Sequence, residues 1–291
     1  MTDMPSNPRF DSWVIRMTIN QLYAEHGFES TREGARFLFM NKDTLDRILT
    51  GKTKRHDPTR IQGMAKRLGA SDEVANQLFE LAVQTHDNGA SGYQQSGKPG
   101  NPVGESPFAV VESAANRLDI YEESLIAGLL QTPEYMRALT DADPFIESEA
   151  AAKSNIQYKL GRQRAVLGGG EPPAMRVVLN EYVLQQIRHL PFYNAQMDHI
   201  RELTDQYNIG VYVFPITAGL SPAYNGAFTL MGLDNPVDFE VAFLDAYSGG
   251  TWVEDQVSIE HLRKLFRVIL QRCVELGAYL DADERMAEVQ P

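Results

Sequence analysis

Residues 86–107, HDNGASGYQQSGKPGNPVGESP, are rich in Gly, Ser, Asn and Pro and poor in apolar side chains. Such a stretch predicts a flexible linker. It constrains the fold more than any other feature, because it divides the 291-residue chain into residues 1–85 and 108–291. The length suits two domains, and a hydrophobic content of 43% lets most of the chain pack into cores. The expected fold class is multi-domain: an all-α N-terminal domain followed by an α/β or α+β domain.

The first piece reads as helix throughout. Asp11–His26 carries Trp13, Val14, Met17, Ile19 and Leu22 on a rough helical stripe ending at Gly27. Ser30 or Thr31 can cap a second helix, TREGARFLF, and Asn41 a third, KDTLDRILT, stopped by Gly51. Asp57-Pro58 starts a fourth, with Gly69 after it, and Ser71 a fifth running to about Gln84.

The second piece mixes helix and strand. Val110–Leu130, Pro133–Leu139, Glu147–Val166, Glu181–His189, Asn194–Tyr207 and residues 257–278 read as helices. MRVVLN (175–180), IGVYVFPI (209–216), FTLMGL (228–233) and FEVAFLD (239–245) read as strands, the last two joined by a turn at Asp234-Asn235-Pro236. Alternating helices and strands predict a layered arrangement.

Charge separates the pieces again. Residues 1–70 hold 12 Lys/Arg against 8 Asp/Glu, a balance of +4, whereas the remainder carries −16 of the formal −12 total. Within Arg36–Arg67 there are 9 basic and 3 acidic side chains. A basic head on an acidic body suits a polyanion partner for the head alone. The single cysteine, Cys273, excludes an internal disulfide and fits a reducing compartment. The first twenty residues lack a signal-peptide layout, and no apolar run approaches the roughly 18 residues that span a bilayer. A cytoplasmic protein with no membrane partner is expected, nucleoid-associated when bound to DNA.

The second and third helices fit a helix-turn-helix. Ala35, Leu38, Met40, Leu45 and Ile48 are spaced for two crossed helices separated by three or four residues. Leu45, Ile48 and Leu49 form the inward face of the third helix, leaving Lys42, Asp43, Asp46 and Arg47 outward. A Lys or Arg can donate to guanine O6 and N7, and an Asp can accept from cytosine N4. Asn41, Lys52, Lys54 and Arg55 flank the helix where phosphates would pass, contacts that position without reading sequence. The bland alternative is a small structural helical bundle.

Ser30–Gly51, STREGARFLFMNKDTLDRILTG, resembles the helix-turn-helix of the lambda-repressor/XRE family. The resemblance places Lys42, Asp43 and Arg47 at base-contacting positions, and Thr31 and Asn41 at phosphate-contacting ones. Phe39 stands where the family's turn usually has Gly for a left-handed backbone, Thr31 replaces a customary Gln, and Gly34 sits inside a helix. LDIYEESLIAGLLQTPEYMRAL (118–139), RVVLNEYVLQQ (176–186), NIGVYVFPITAGLSPAYNGAFTL (208–230) and FLDAYSGGTWVED (243–255) are similar, in that order, to segments of actinobacterial WhiJ-like, antitoxin-like regulators. Asp245-Ala246 departs from the Glu-His pair common in those relatives. The resemblance implies transcriptional control and a small protein partner encoded nearby; it implies no established ligand.

No catalytic constellation is legible. The six His residues make no zinc spacing, the triple Gly at 168–170 precedes prolines rather than a phosphate-binding helix, and no G-x-S-x-G occurs. Neither enzyme activity, nor a cofactor, nor a metal is expected. The paired acids Glu122-Glu123 and Glu254-Asp255 read as solvated faces, and His261 as surface or a satisfied partial-core residue. Gly128, Thr132 and Pro133 in GLLQTPEY have structural readings: close approach, helix cap and helix start. Tyr121, Tyr135, Tyr158, Tyr182, Tyr212, Phe214 and Tyr224 are core aromatics or the lining of a pocket. The Gly/Pro-rich loop 215–228, with Tyr212, Phe214, Tyr224 and Asn225, is the best candidate for facing a ligand or partner. The functional expectation is a dimeric, sequence-specific regulator of a double-stranded DNA operator, its second domain serving effector sensing, dimerisation or partner binding. The alternative is an antitoxin-like interaction protein whose DNA binding is autoregulatory.

Overall fold

The computed structural model describes residues 10–86, 94–95, 107–233, 239–245 and 250–289. Five helices form the head: α1 (Phe10–Glu25), α2 (Thr31–Phe37), α3 (Lys42–Leu49), α4 (Pro58–Arg67) and α5 (Asp72–Gln84). Ser30, Asn41, Asp57 and Ser71 cap the last four, each side chain accepting a first-turn N–H. Leu45, Ile48, Ile61, Leu78 and Leu81 lie in the head's buried core.

Two sites in the head account for residues unusual at their positions, Phe39 and Gly34. At the end of α2, Phe39 N–H donates to Arg36 O and Met40 N–H to Ala35 O, closing a Schellman motif. Phe39 takes the left-handed conformation this requires, at φ +54°, so the turn keeps its geometry without glycine. Its ring stands 80% exposed, with the Arg67 guanidinium 4.1 Å from its centroid. Gly34 is explained by contact: a Cβ there would lie 2.1 Å from the Tyr23 hydroxyl.

The body is built on a mixed sheet. Its seven strands are β2 (Arg117–Glu122), β3 (Ala174–Asn180), β4 (Ile209–Phe214), β5 (Phe228–Leu233), β6 (Phe239–Leu244), β7 (Gly250–Val253) and β8 (Val274–Glu275). With β1 (Gln94–Gln95) the order is β1-β7-β6-β5-β2-β3-β4-β8. The β2, β3 and β4 strands run parallel, and every other pair is antiparallel. The helices are α6 (Pro107–Ala114), α7 (Pro133–Ala142), α8 (Glu149–Leu167), α9 (Glu181–Ile187), α10 (Tyr193–Gln206), α11 (Gln256–Leu270) and α12 (Leu276–Val289).

Strand alternation separates two cores. Leu118, Ile120, Val177, Val211 and Met231 belong to one cluster, while Tyr121, Val178, Phe214, Leu230 and Ala242 join Ile259, Phe266 and Ile269 of α11 in the other. The α11 side also carries ion pairs. Arg176 grips Asp119 through two hydrogen bonds of 2.7 and 2.6 Å, and Glu240 accepts from both Arg117 and Arg263.

The first cluster extends into the head without interruption. Phe10 of α1 lies 4.8 Å from Trp252 of β7, and Trp13 meets Phe239 edge-on at 5.7 Å. Phe108 of α6 and Phe243 of β6 complete this seam against Trp252, at 6.0 and 4.9 Å. Glycine is required at Gly250, where a Cβ would lie 1.7 Å from the Phe243 ring. The Phe10 N–H donates to Glu254 Oε2 at 3.0 Å, and Asp255 caps α11 through Ser258 N–H. The Glu254-Asp255 pair therefore does structural work rather than forming a solvated face.

Three readings of the sequence need correction. Val110–Leu130 is not one helix: α6 ends at Ala114, β2 follows, and Gly128–Leu130 is a single 3-10 turn. β2 (RLDIYE) lies between β3 and β5 and is buried toward both faces, and its Arg117 and Asp119 are satisfied by ion pairs to Glu240 and Arg176 that no local pattern foretells. The helix expected over 257–278 stops at Leu270, because Val274 and Glu275 pair with Val213 and Tyr212 before α12 begins. Within the expected linker, Gln94–Gln95 pairs with Gly250 and Thr251, and Pro107 starts α6. The rest of that linker, residues 87–93 and 96–106, lies outside the described residues, as does the turn at 234–236.

Candidate functional sites

The first site is the exposed face of α3. Lys42, Asp43 and Arg47 are exposed, and their side chains have no hydrogen-bond or ion-pair partner among the described residues. Asn41 spends its Oδ1 on Asp43 N–H at 2.8 Å, which leaves its amide NH2 available to donate outward. Thr31 opens α2 and is half-buried.

Past α3 the chain turns at Gly51 (φ +73°), where Gly51 N–H donates to Ile48 O and Lys52 N–H to Arg47 O. Lys52, Lys54 and Arg55 follow, all exposed. A notch of about 240 Å³ brings Arg47 and Arg55 together with Arg60 of α4. Sequence reasoning missed Arg60, since nothing in its local pattern ties α4 to α3.

His56 holds this basic segment in place. The Ser12 hydroxyl donates to Thr53 O at 3.1 Å, so it accepts from His56 Nε2 at 2.8 Å. Its backbone N–H donates to Thr85 Oγ1, and its carbonyl accepts from His86 Nε2. His56 is only 2% exposed and its Nδ1 has no partner. Burial first, and His86 second, pull its pKa down to about 4, so the ring is neutral with the proton on Nε2.

The second site lies inside the body. A cavity of about 340 Å³ opens between α6, the end of β2, residues 125–131, α8 and the β5–β6–β7 strands. Its walls combine Phe108, Phe228 and Phe243 with the polar side chains of Glu112, Glu122, Gln131, Lys159, Arg162 and Asp245. Arg162 donates to Glu112 twice, at 2.9 and 2.7 Å, so that buried cation is already neutralised. Glu122 is pushed up to about 8 by burial, then by Asp245 and Glu123, with Arg162 opposing. Glu122 is half-buried in the cavity wall rather than on an open solvated face, which corrects that reading. Lys159 is lowered by burial and by Arg162.

The GLLQTPEY segment builds one wall. Gln163 Nε2 donates to the carbonyls of Gly128 and Gln131, Gln196 bridges Leu130 O and Thr132 N–H, and Tyr135 Oη accepts from Ile126 N–H. Gln131 Nε2 donates to Ile126 O, while its Oε1 is buried without a partner. Thr132 and Pro133 start α7 as expected, and the Arg162 guanidinium lies 3.8 Å from where a Gly128 Cβ would stand.

The loop favoured from sequence does not line this cavity, apart from Ala227 and Phe228 at its end. Phe214 is buried beneath the Arg272 guanidinium, Tyr212 is half-buried, and Tyr224 and Asn225 are exposed. Of the seven aromatics weighed as pocket lining, Tyr158 alone is there; Tyr121 and Tyr135 are core and Tyr182 is exposed. His261 is exposed. Among the described residues no group of His, Cys, Asp and Glu is placed to hold a metal ion, and no helix is long and apolar enough to cross a membrane.

The chain thus joins a helical head with exposed basic residues to a mixed-sheet body with a polar cavity. The body is covered by the model of the Domain of unknown function (DUF5753), which matches residues 106–275, more than half of the chain. The chain belongs to that family. No curated protein and no solved structure matches it significantly.

Proposed function

We propose that the protein is a sequence-specific DNA-binding transcriptional regulator, in which α2 and α3 form a helix-turn-helix and the body regulates it. The observation that supports this best is the left-handed Phe39. A turn that keeps helix-turn-helix geometry against a strained residue argues that the α2–α3 crossing is under demand. In this reading α3 enters the major groove, Lys42, Asp43 and Arg47 address base edges, and Thr31, Asn41, Lys52, Lys54 and Arg55 address phosphates. Arg60 joins the phosphate set through the notch it shares with Arg47 and Arg55. The protein acts as a cytoplasmic dimer on a two-fold operator, without enzyme activity of its own. Fluorescence anisotropy on labelled genomic fragments tests the reading. Affinity should fall steeply with salt, and Arg47→Ala should cost about 1–3 kcal/mol on the preferred fragment. Undiminished binding by Arg47→Ala would remove α3 as the reading element.

A second reading is an antitoxin-like role, with a small protein bound by the body. It is favoured by the loop between β4 and β5, where Ile216, Leu220 and Tyr224 are all exposed, Leu220 at 93%. Leu220→Ser should then abolish co-purification of a neighbouring gene product; retention would place that partner elsewhere.

A further inference from the structure

The basic segment after α3 is tied to the body through a single helical turn. Residues 52–57 belong to no helix or strand, so the groups that tether them decide where Lys52, Lys54 and Arg55 stand. Lys52 and Thr53 N–H donate to Arg47 O. Farther on, the Ser12 hydroxyl donates to Thr53 O at 3.1 Å and accepts from His56 Nε2 at 2.8 Å. Thr85 Oγ1 and His86 Nε2 hold the His56 backbone, at 3.0 and 2.9 Å.

Ser12 sits in the first turn of α1. That turn also carries Phe10 and Trp13, which share a face at i and i+3. They pack on Trp252 and Phe239 of the body, and Glu254 Oε2 accepts from Phe10 N–H. One turn therefore grips the body on one face and the basic segment on another. The second tether leads to the same strand. Thr85 caps the end of α5, and farther along the chain Gln94 pairs with Thr251, the neighbour of Trp252. Close-packed elements shift as units, so a displacement at Trp252 reaches Thr53 and His56 through Ser12. Ser12 itself is half-buried, and its hydroxyl spends both bonds on the segment rather than on the apolar core.

We propose that Ser12 is a positioning residue: through it the docked body fixes the basic segment Lys52–Arg55, and with it the head's phosphate contacts. The effect on DNA rests on the regulator reading above; the coupling itself does not. Thr53, Arg55 and His56 also wall the notch that holds Arg47 and Arg60, so loosening the seam disturbs that cluster as well. Phosphate contacts orient without reading sequence, so the loss falls alike on preferred and unrelated duplexes. It also makes the salt dependence shallower, because fewer counterions are released.

The full-length protein is first tested without DNA, by hydrogen exchange at constant pH on peptides covering 52–57. Ser12→Ala and Trp252→Leu should each speed exchange there about fivefold, the worth of one hydrogen bond. Ser12→Thr, which keeps the hydroxyl, should restore the wild-type rate. Glu254→Gln is the milder seam variant should Trp252→Leu fail to fold, and it should shift the same peptides. Anisotropy across salt then reads the consequence. Ser12→Ala should weaken a preferred and an unrelated duplex by the same factor, about fivefold, and flatten the salt slope by about one contact. The seam variant should do likewise, and adding it to Ser12→Ala should weaken binding no further. A merely less stable head would lower the active fraction and leave the slope unchanged. Exchange at 52–57 that ignores the seam variants, or losses that add in the double variant, would overturn the proposal. Coupled exchange in a protein that binds no duplex would leave Ser12 as the link and overturn the DNA reading alone.

Discussion

The head and the body place their charged groups in opposite environments. On α3 the side chains of Lys42, Asp43 and Arg47 stand in solvent. In the body Glu112, Glu122 and Arg162 line one cavity, where Arg162 pairs with Glu112 and burial pushes Glu122 up. The first set meets the solvent directly; the second is held in a partly open cavity of about 340 Å³. The two are in contact. Phe108 and Phe243 line the cavity and also touch Trp252, which packs on Phe10 of the head.

The largest effect should come from breaking that contact. Trp252→Ala removes a fully buried ring from the seam and should cost about 3–5 kcal/mol. Because the ring touches both regions, head and body should lose stability together in denaturant unfolding. A head that unfolds as in wild type would show the regions to be independent.

Acid and base should act on the regions with opposite signs. His56 in the head has a folded pKa below its unfolded value, so the unfolded state takes up more protons between pH 6.5 and about 4. Head stability is complete above pH 6.5 and falls as pH drops through that window, by on the order of 2–3 kcal/mol. Glu122 in the body has a folded pKa above its unfolded value, so the folded state holds the extra proton. Body stability falls as pH rises from 4.5 to about 8, and Glu122→Gln should flatten that slope and raise neutral-pH stability. Denaturant unfolding of wild type and of Glu122→Gln across pH separates the two contributions; an unchanged pH profile in the variant would refute the assignment to Glu122.

The smallest effect concerns Phe39. Phe39→Gly relieves the left-handed strain but loses the Arg67 contact, for a net stabilisation of up to about 1 kcal/mol. Thermal melts should show a slight rise in midpoint, and a fall would mean that the exposed ring contributes more to folding than its strain costs.

What the sequence made legible follows the same divide. Caps at Ser30, Asn41, Asp57 and Ser71, and the buried Leu45 and Ile48, are local signals, and the head matches them. The strands at 174–180, 209–214, 228–233 and 239–244 were equally plain. The β2 strand was hidden because its polar residues, Arg117 and Asp119, find their partners only through the fold, and the short β1 and β8 exist only through their pairing. The cavity was illegible for a stronger reason. Glu112, Glu122, Arg162 and Asp245 are brought together by topology, and no spacing between them encodes the meeting. A polar residue such as Glu122 looks solvated until the fold covers it.

The most direct measurement of the central claim is selection of bound duplexes from a random pool by the full-length protein, with Arg47→Ala selected in parallel. The account predicts a two-fold motif with half-sites about one helical turn apart for wild type, and loss of information at the positions read by α3 in the variant. Enrichment of no motif, or of the same motif by both proteins, would contradict it.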